Sequence, residues 1–122
     1  MPYVEILAPP ASSEVKAALA KSLTEGLMSS FSVGADTVTL YFLPIVPGDY
    51  AHAGEMSPKG IGQRILLKVH AFRRGEAERR AAAAALTQSV IFAYGVPGDD
   101  VAVYFLDRDK SEVAHDSRLA SD

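Results

Sequence analysis

The chain has 122 residues, of which 48% are hydrophobic, and this composition suits one compact domain with a modest core. A net charge of −3 argues against nucleic acid or an anionic membrane as the main partner, and the absence of cysteine excludes disulfides, thiolate chemistry and cysteine-ligated metals. No apolar run approaches the roughly 18 residues of a membrane helix, and the N-terminus does not resemble a signal peptide, so we expect a soluble cytoplasmic protein.

The first third of the chain predicts a strand followed by a helix. Residues 3–8 alternate in polarity, which indicates a strand with one buried face. Ser12 or Ser13 can cap the helix that follows, and Gly34 is expected to end it. Apolar side chains recur every fourth position within this helix and give it one buried stripe. The stripe comprises Val15, Leu19, Leu23, Leu27 and Phe31.

The same order of elements continues along the chain. Residues 38–43 are β-branched and aromatic, which favours a second strand. The pattern then predicts a strand at 65–71, a helix at 76–94 and a strand at 101–106, with a break at 95–97. Each half of the chain therefore has the order β-α-β.

The two halves are copies of one unit. Residues 2–59 recur weakly as 65–122, with a constant shift of 63 positions (65 minus 2). Tyr-Phe-Leu occurs at 41–43 and 104–106, and Ala-His occurs at 51–52 and 114–115. We therefore expect a single domain, 1–122, made of the pseudo-repeats 2–59 and 65–122, and only the first repeat begins with proline.

The order of elements predicts an α+β fold. A helix joins the two strands of each unit, so these strands should be parallel with a right-handed crossover. Two such units make a four-stranded sheet with both helices on one face. The other face keeps apolar side chains without cover from its own chain, which indicates association into an oligomer. These side chains are Tyr3, Leu7, Tyr41 and Leu43.

Two segments carry a resemblance to a known family. The Met1-Pro2 start before a β-α-β unit, together with Gly-Asp-Tyr-Ala-His-Ala-Gly-Glu-Met at 48–56, resembles the tautomerase superfamily, and 4-oxalocrotonate tautomerase in particular. Tyr50 stands at the aromatic position of this segment, while Ala51 and Ala53 replace two family glycines. The resemblance covers both repeats and implies a homotrimer of pseudo-hexameric shape that needs no cofactor and no metal.

Pro2 is the predicted catalytic residue. After removal of Met1 its nitrogen is a secondary amine, and the resemblance implies that it acts as a general base or acid. An α-amino group titrates near pH 8, and a hydrophobic site with nearby cations lowers that pKa towards neutrality. If Met1 is retained, the nitrogen is an amide and can do neither.

The substrate-binding residues are also assigned through the resemblance. Arg74, helped by Arg73, falls on a loop where relatives hold a substrate carboxylate, and a guanidinium suits this because it can bind a carboxylate with two hydrogen bonds. Phe72 and Thr39 stand where relatives have further arginines, which disfavours a dicarboxylate substrate. Tyr50 is expected to wall the pocket beside Pro2.

The histidines are expected to have other roles. His52 and His115 occupy the same place in both repeats and suit pocket shaping or subunit contacts, because a metal site needs three or four converging ligands. His70 lies on the strand face opposite the apolar stripe and is expected to be structural.

These residues predict a cofactor-independent keto-enol tautomerase acting on a small 2-keto (enol) carboxylate. One alternative is decarboxylation, hydration or dehalogenation with protonated Pro2. Another is a non-catalytic oligomeric binding protein if Met1 stays attached. A ferredoxin-like dimer shares the order of elements, but the link of about twenty residues between the units is long for a hairpin.

Overall fold

The computed structural model describes residues 1–122. The chain forms two long helices, four main strands and two short hairpins. In chain order the elements are β1 (Tyr3–Ala8), α1 (Ser13–Phe31), β2 (Thr39–Pro44), β3 (Ala51–His52), β4 (Glu55–Met56), β5 (Ile65–Phe72), α2 (Glu76–Tyr94), β6 (Val101–Arg108), β7 (Ala114–His115) and β8 (Arg118–Leu119). The α+β prediction is confirmed, and each predicted strand and helix is present.

The ends of helix α1 follow from its capping residues. Ser12 is the N-cap, and its hydroxyl oxygen accepts a hydrogen bond from the Val15 amide at 3.2 Å. The prediction that Gly34 ends the helix is wrong. The helix ends at Phe31, the last residue of the buried stripe, and Ser32 takes the left-handed conformation with φ of 54°. Gly95, the second-repeat equivalent of Ser32, ends helix α2 in the same way.

The main sheet has the strand order β2-β1-β5-β6. Strands within a repeat are parallel, whereas β1 and β5 from different repeats pair in antiparallel fashion at the centre. In this register Tyr3 at the start of β1 lies opposite His70 near the end of β5. The N-terminus and the loop after β5 therefore meet at the same end of the two central strands, and we call this end of the sheet the proline edge.

Both repeats contribute to one core between the helices and the sheet. Fourteen buried hydrophobic residues form a single cluster, and each large one stabilises the fold by about 1.5–3 kcal/mol through removal from water. The helices pack closely through small residues, because a Cβ placed on Gly26 would lie 3.3 Å from the Cβ of Ala85. Ala85 ends a run of five alanines at 81–85 in α2, and such a run favours the helix and permits close packing.

The opposite face of the sheet is uncovered, as the alternation predicted. Tyr41 and Tyr104 are 54% and 62% exposed, and Leu43 is 36% exposed. Exposed apolar surface of this kind is typical of an interface between proteins. Neither helix combines the length and the hydropathy that crossing a bilayer requires.

Each repeat ends in a short hairpin that the sequence patterns did not predict. Strand β3 pairs with β4, and β7 pairs with β8, both in antiparallel fashion. The residues at the two turns, Ala53-Gly54 and Asp116-Ser117, all have positive φ angles. This is the conformation of a tight two-residue turn whose twist matches that of the flanking strands. The hairpins occupy equivalent places in the two repeats.

Candidate active site

Pro2 lies at the proline edge and is fully buried. Its carbonyl oxygen accepts a hydrogen bond from the Thr39 amide at 3.2 Å, which fixes the start of β1 against β2. Pro2 lines a cavity of about 490 Å³, called the proline cavity below. Its other lining residues are Met1, Tyr3, Thr37, Thr39, Tyr41, Val113, Ala114 and His115. The structure thus brings two of the predicted site residues, Pro2 and Thr39, into one cavity.

The proline cavity combines an aromatic wall with hydroxyl groups. The rings of Tyr3 and Tyr41 meet edge to face, with centroids 5.9 Å apart and planes at 83°. Thr39 adds a hydroxyl group that can donate or accept a hydrogen bond, whereas the Thr37 hydroxyl already donates to the Gly34 carbonyl at 2.8 Å and can only accept one more. Met1 also lines the cavity, so its removal would give the nitrogen of Pro2 more room as well as a free amine.

Tyr50 lies away from Pro2 within the chain. Strand β2 runs parallel to β1, so the segment after β2 lies at the far end of β1, beside Pro9. There the Tyr50 hydroxyl accepts a hydrogen bond from the Arg64 amide at 3.0 Å. The second-repeat equivalent of Tyr50 is Val113, and it is Val113 that lines the proline cavity. Within one chain, Tyr3 and Tyr41 supply the aromatic wall that we expected from Tyr50.

The arginine loop begins at the proline edge, directly after β5. Arg74 donates a hydrogen bond from Nη1 to the Phe72 carbonyl at 2.7 Å, and its guanidinium lies 4.9 Å from the centroid of the Phe31 ring. Arg73 is 70% exposed and forms ion pairs with Asp107 and Asp109 at 3.2 and 3.9 Å. Arg74 forms no ion pair, so its charge is the less neutralised of the two. Neither arginine lines the proline cavity itself.

A polar network beside the cavity was not predicted. His70 is 4% exposed, and its Nε2 lies 2.5 Å from Glu5 Oε2 while its Nδ1 lies 2.9 Å from Arg108 Nη2. A guanidinium can only donate, so Nδ1 accepts the hydrogen bond and Nε2 carries the proton that Glu5 accepts. The His70 ring stacks on Tyr3 with centroids 4.2 Å apart, which connects the network to the cavity wall.

The alternation of residues in β1 and β5 predicts part of this polar network. It places Glu5 and His70 on the open face of the sheet, where His70 was expected to be structural. Arg108 lies beyond the predicted end of its strand at residue 106, since β6 continues to Arg108. The network joins side chains from three strands, so no local pattern reveals it.

The two repeat-related histidines have different surroundings. His115 lines the proline cavity, whereas His52 belongs to the hairpin that follows β2, at the other end of the sheet. No group of three potential metal ligands occurs in the structure.

The solved structures that share this fold include the following three. R7 fused 4-OT wild type, an asymmetric trimer, has a TM-score of 0.88 at 19% identity, with 98% of this chain and 96% of that chain covered. Pt0534 inactivated by 2-oxo-3-pentynoate has a TM-score of 0.88 at 24% identity, with 98% and 97% covered. Malonate semialdehyde decarboxylase has a TM-score of 0.78 at 17% identity, with 98% and 94% covered.

These proteins belong to the tautomerase superfamily, so the chain has the tautomerase fold. The resemblance seen in Pro2 and residues 48–56 is confirmed at the level of the fold. No family model matches the sequence, and no curated protein matches it.

Proposed function

We propose that this protein is a cofactor-independent keto-enol tautomerase that acts on a small 2-keto (enol) monocarboxylate. With Met1 removed, Pro2 is the general base that takes a proton from the substrate and returns it at another atom. The observation that carries the proposal is the position of Pro2, buried at the start of β1 and lining the proline cavity with Thr39 and Tyr41.

Arg74 is proposed to bind the substrate carboxylate. It lies in the loop after β5 at the proline edge, and it has no carboxylate partner of its own. Arg73 is proposed to assist, although Asp107 and Asp109 already neutralise much of its charge. A guanidinium near the developing enolate stabilises its negative charge.

Three further residues are proposed to shape the substrate site. Thr39 in the cavity and Phe72 beside the arginine loop carry no charge, which supports a monocarboxylate over a dicarboxylate. Tyr50 can wall the proline cavity only across a subunit boundary, because it lies at the far end of its own chain.

A homotrimer is proposed as the assembly. The open face of the sheet exposes Leu43, Tyr41 and Tyr104, and these side chains need a neighbour. The fused 4-OT structure of the same fold is a trimer. Two repeats in each of three chains make six units around one axis.

The proposed function is tested by ketonisation of phenylenolpyruvate, a monocarboxylate enol, followed by its ultraviolet absorbance. Intact mass first establishes whether Met1 has been removed. The Met1-free protein should turn over this enol faster than the dicarboxylate 2-hydroxymuconate. A protein that retains Met1 should be inactive, since its Pro2 nitrogen is an amide.

Two results would contradict the proposal. One is a clear preference for 2-hydroxymuconate, and the other is equal turnover with and without Met1. Release of carbon dioxide from a 3-oxo acid without any ketonisation would instead favour a decarboxylase that uses protonated Pro2.

A further inference from the structure

The proline cavity contains a second group that can move a proton at neutral pH. Interconverting a keto acid and its enol moves protons at two atoms, the carbon next to the carbonyl and the carbonyl oxygen. Threonine hydroxyls do not titrate, and a tyrosine titrates near pH 10. An imidazole nitrogen can both accept and release a proton, so His115 is the lining side chain with the chemistry of a general acid-base residue.

The β7–β8 hairpin holds His115 at the cavity. His115 pairs with Arg118, and the Ala120 amide donates a hydrogen bond to the Val113 carbonyl at 2.8 Å across the base of the hairpin. The turn residues Asp116 and Ser117 have φ angles of 50° and 66°, which closes the hairpin tightly. Val113 and Ala114 line the cavity together with His115, so the backbone of the hairpin borders the site.

Only one of the two repeat-related histidines lines the proline cavity. His52 is the first-repeat equivalent of His115, but its hairpin lies at the end of the sheet where β5 starts. The residue that matches Pro2 there is Ile65, whose nitrogen is an ordinary chain amide. Of the two repeat-related histidines, His115 is therefore the one that lines the same cavity as the potential amine of Pro2.

We propose that His115 is the second proton-transfer residue of the site, acting at the 2-oxygen of the keto acid while Pro2 acts at the adjacent carbon. This inference rests on the proposed function. In the direction of the enol, the Pro2 amine takes the proton from carbon 3, and the C–H electrons form the C2=C3 double bond. The carbonyl oxygen receives the π electrons and takes a proton from the His115 imidazolium.

Ketonisation is the reverse of this step. Neutral His115 takes the proton from the enol hydroxyl, the C2=O bond re-forms, and protonated Pro2 gives its proton to carbon 3. His115 is exposed to solvent, so exchange with water resets both groups after each turnover. Tyr3 and Tyr41 are the other titratable side chains that line the cavity, and Asp116 and Arg118 flank the histidine on its hairpin.

This division of labour predicts a pH profile. Ketonisation needs neutral His115 and protonated Pro2, so kcat/KM plotted against pH should have a rising limb from the imidazole and a falling limb from the amine. A mechanism with Pro2 as the single proton carrier has no limb from an imidazole.

The experiment measures the pH profile of phenylenolpyruvate ketonisation for the Met1-free parent, His115→Gln, His115→Ala and His52→Gln. Glutamine keeps hydrogen-bonding capacity but does not titrate, and circular dichroism checks that each variant folds. Both His115 variants should lose about 100-fold or more in kcat, as expected for a general acid-base residue, and His115→Gln should lose the acidic limb. His52→Gln should remain within twofold of the parent and keep the limb.

The possible outcomes separate the two proposals. An active parent whose profile and kcat are unchanged in the His115 variants would overturn this inference and leave the proline mechanism standing. A change confined to KM, or loss of the acidic limb in His52→Gln, would overturn it as well. A Met1-free parent no more active than buffer would refute the proposed function, and the role of His115 with it.

Discussion

Replacement of Arg74 by alanine tests whether the arginine loop binds the substrate carboxylate. The structure shows two contacts that this change removes, the hydrogen bond to the Phe72 carbonyl at 2.7 Å and the packing over the Phe31 ring at 4.9 Å. A hydrogen bond from a charged group contributes about 1.5 kcal/mol or more, and a partly exposed cation–π contact contributes about 0.5–1 kcal/mol. The free energy of unfolding should therefore fall by about 2 kcal/mol.

The effect on activity should be larger and separable from stability. Loss of a charge-assisted, two-point contact to a carboxylate is expected to cost roughly 2–4 kcal/mol in transition-state binding, which is about 30- to 1,000-fold in kcat/KM. The carboxylate is bound in the ground state as well as in the transition state, so KM should carry much of this loss. Arg74→Lys keeps the charge without the planar fork and should fall between the alanine variant and the parent.

Steady-state kinetics with phenylenolpyruvate and urea unfolding are measured on the same preparations. Arg80→Ala is the matched control, because Arg80 is 73% exposed and has only an ion pair with Glu76 one helical turn earlier, at 3.5 Å. The control should change stability by less than about 0.5 kcal/mol and leave kcat/KM unchanged. If Arg74→Ala retains kcat/KM within threefold while it is folded, Arg74 does not bind the substrate.

Three further predictions concern stability and assembly. His70→Ala should lower the free energy of unfolding, measured by urea unfolding, by about 2–4 kcal/mol, because it leaves Glu5 and Arg108 without their shared partner. A loss below about 0.5 kcal/mol would show that the network contributes little to stability. Burial raises the pKa of the Tyr94 phenol from its ordinary value of 10.0. The unfolded chain therefore loses this proton first, and the free energy of unfolding should decline as the pH rises above about 10. Tyr94→Phe should reduce that decline, and the same pH dependence in urea unfolding of parent and variant would contradict the assignment. Light scattering should give about 39 kDa for the parent, which is three times the chain mass of 13.0 kDa. Tyr104→Glu on the open face of the sheet should shift the mass towards that of one chain. A parent that stays monomeric at micromolar concentration would rule out the trimer.

The sequence determined the elements of this protein and their repetition. Alternation over residues 3–8 and the four-residue period from Val15 to Phe31 are local patterns, and local patterns report which face of a strand or helix is buried. The same patterns predicted that one face of the sheet has no cover from its own chain. Pro2 and Arg74 could be assigned to one site because the resemblance to a family extended over both repeats.

Tertiary structure decided which segments meet at Pro2. Antiparallel pairing of β1 with β5 brings the arginine loop and the second hairpin to the proline edge, and it leaves Tyr50 at the far end of its own chain. It also joins Glu5, His70 and Arg108 from three different strands. Such contacts depend on strand order and register between distant parts of the chain, and a pattern that repeats every two or four residues is the same for every pairing.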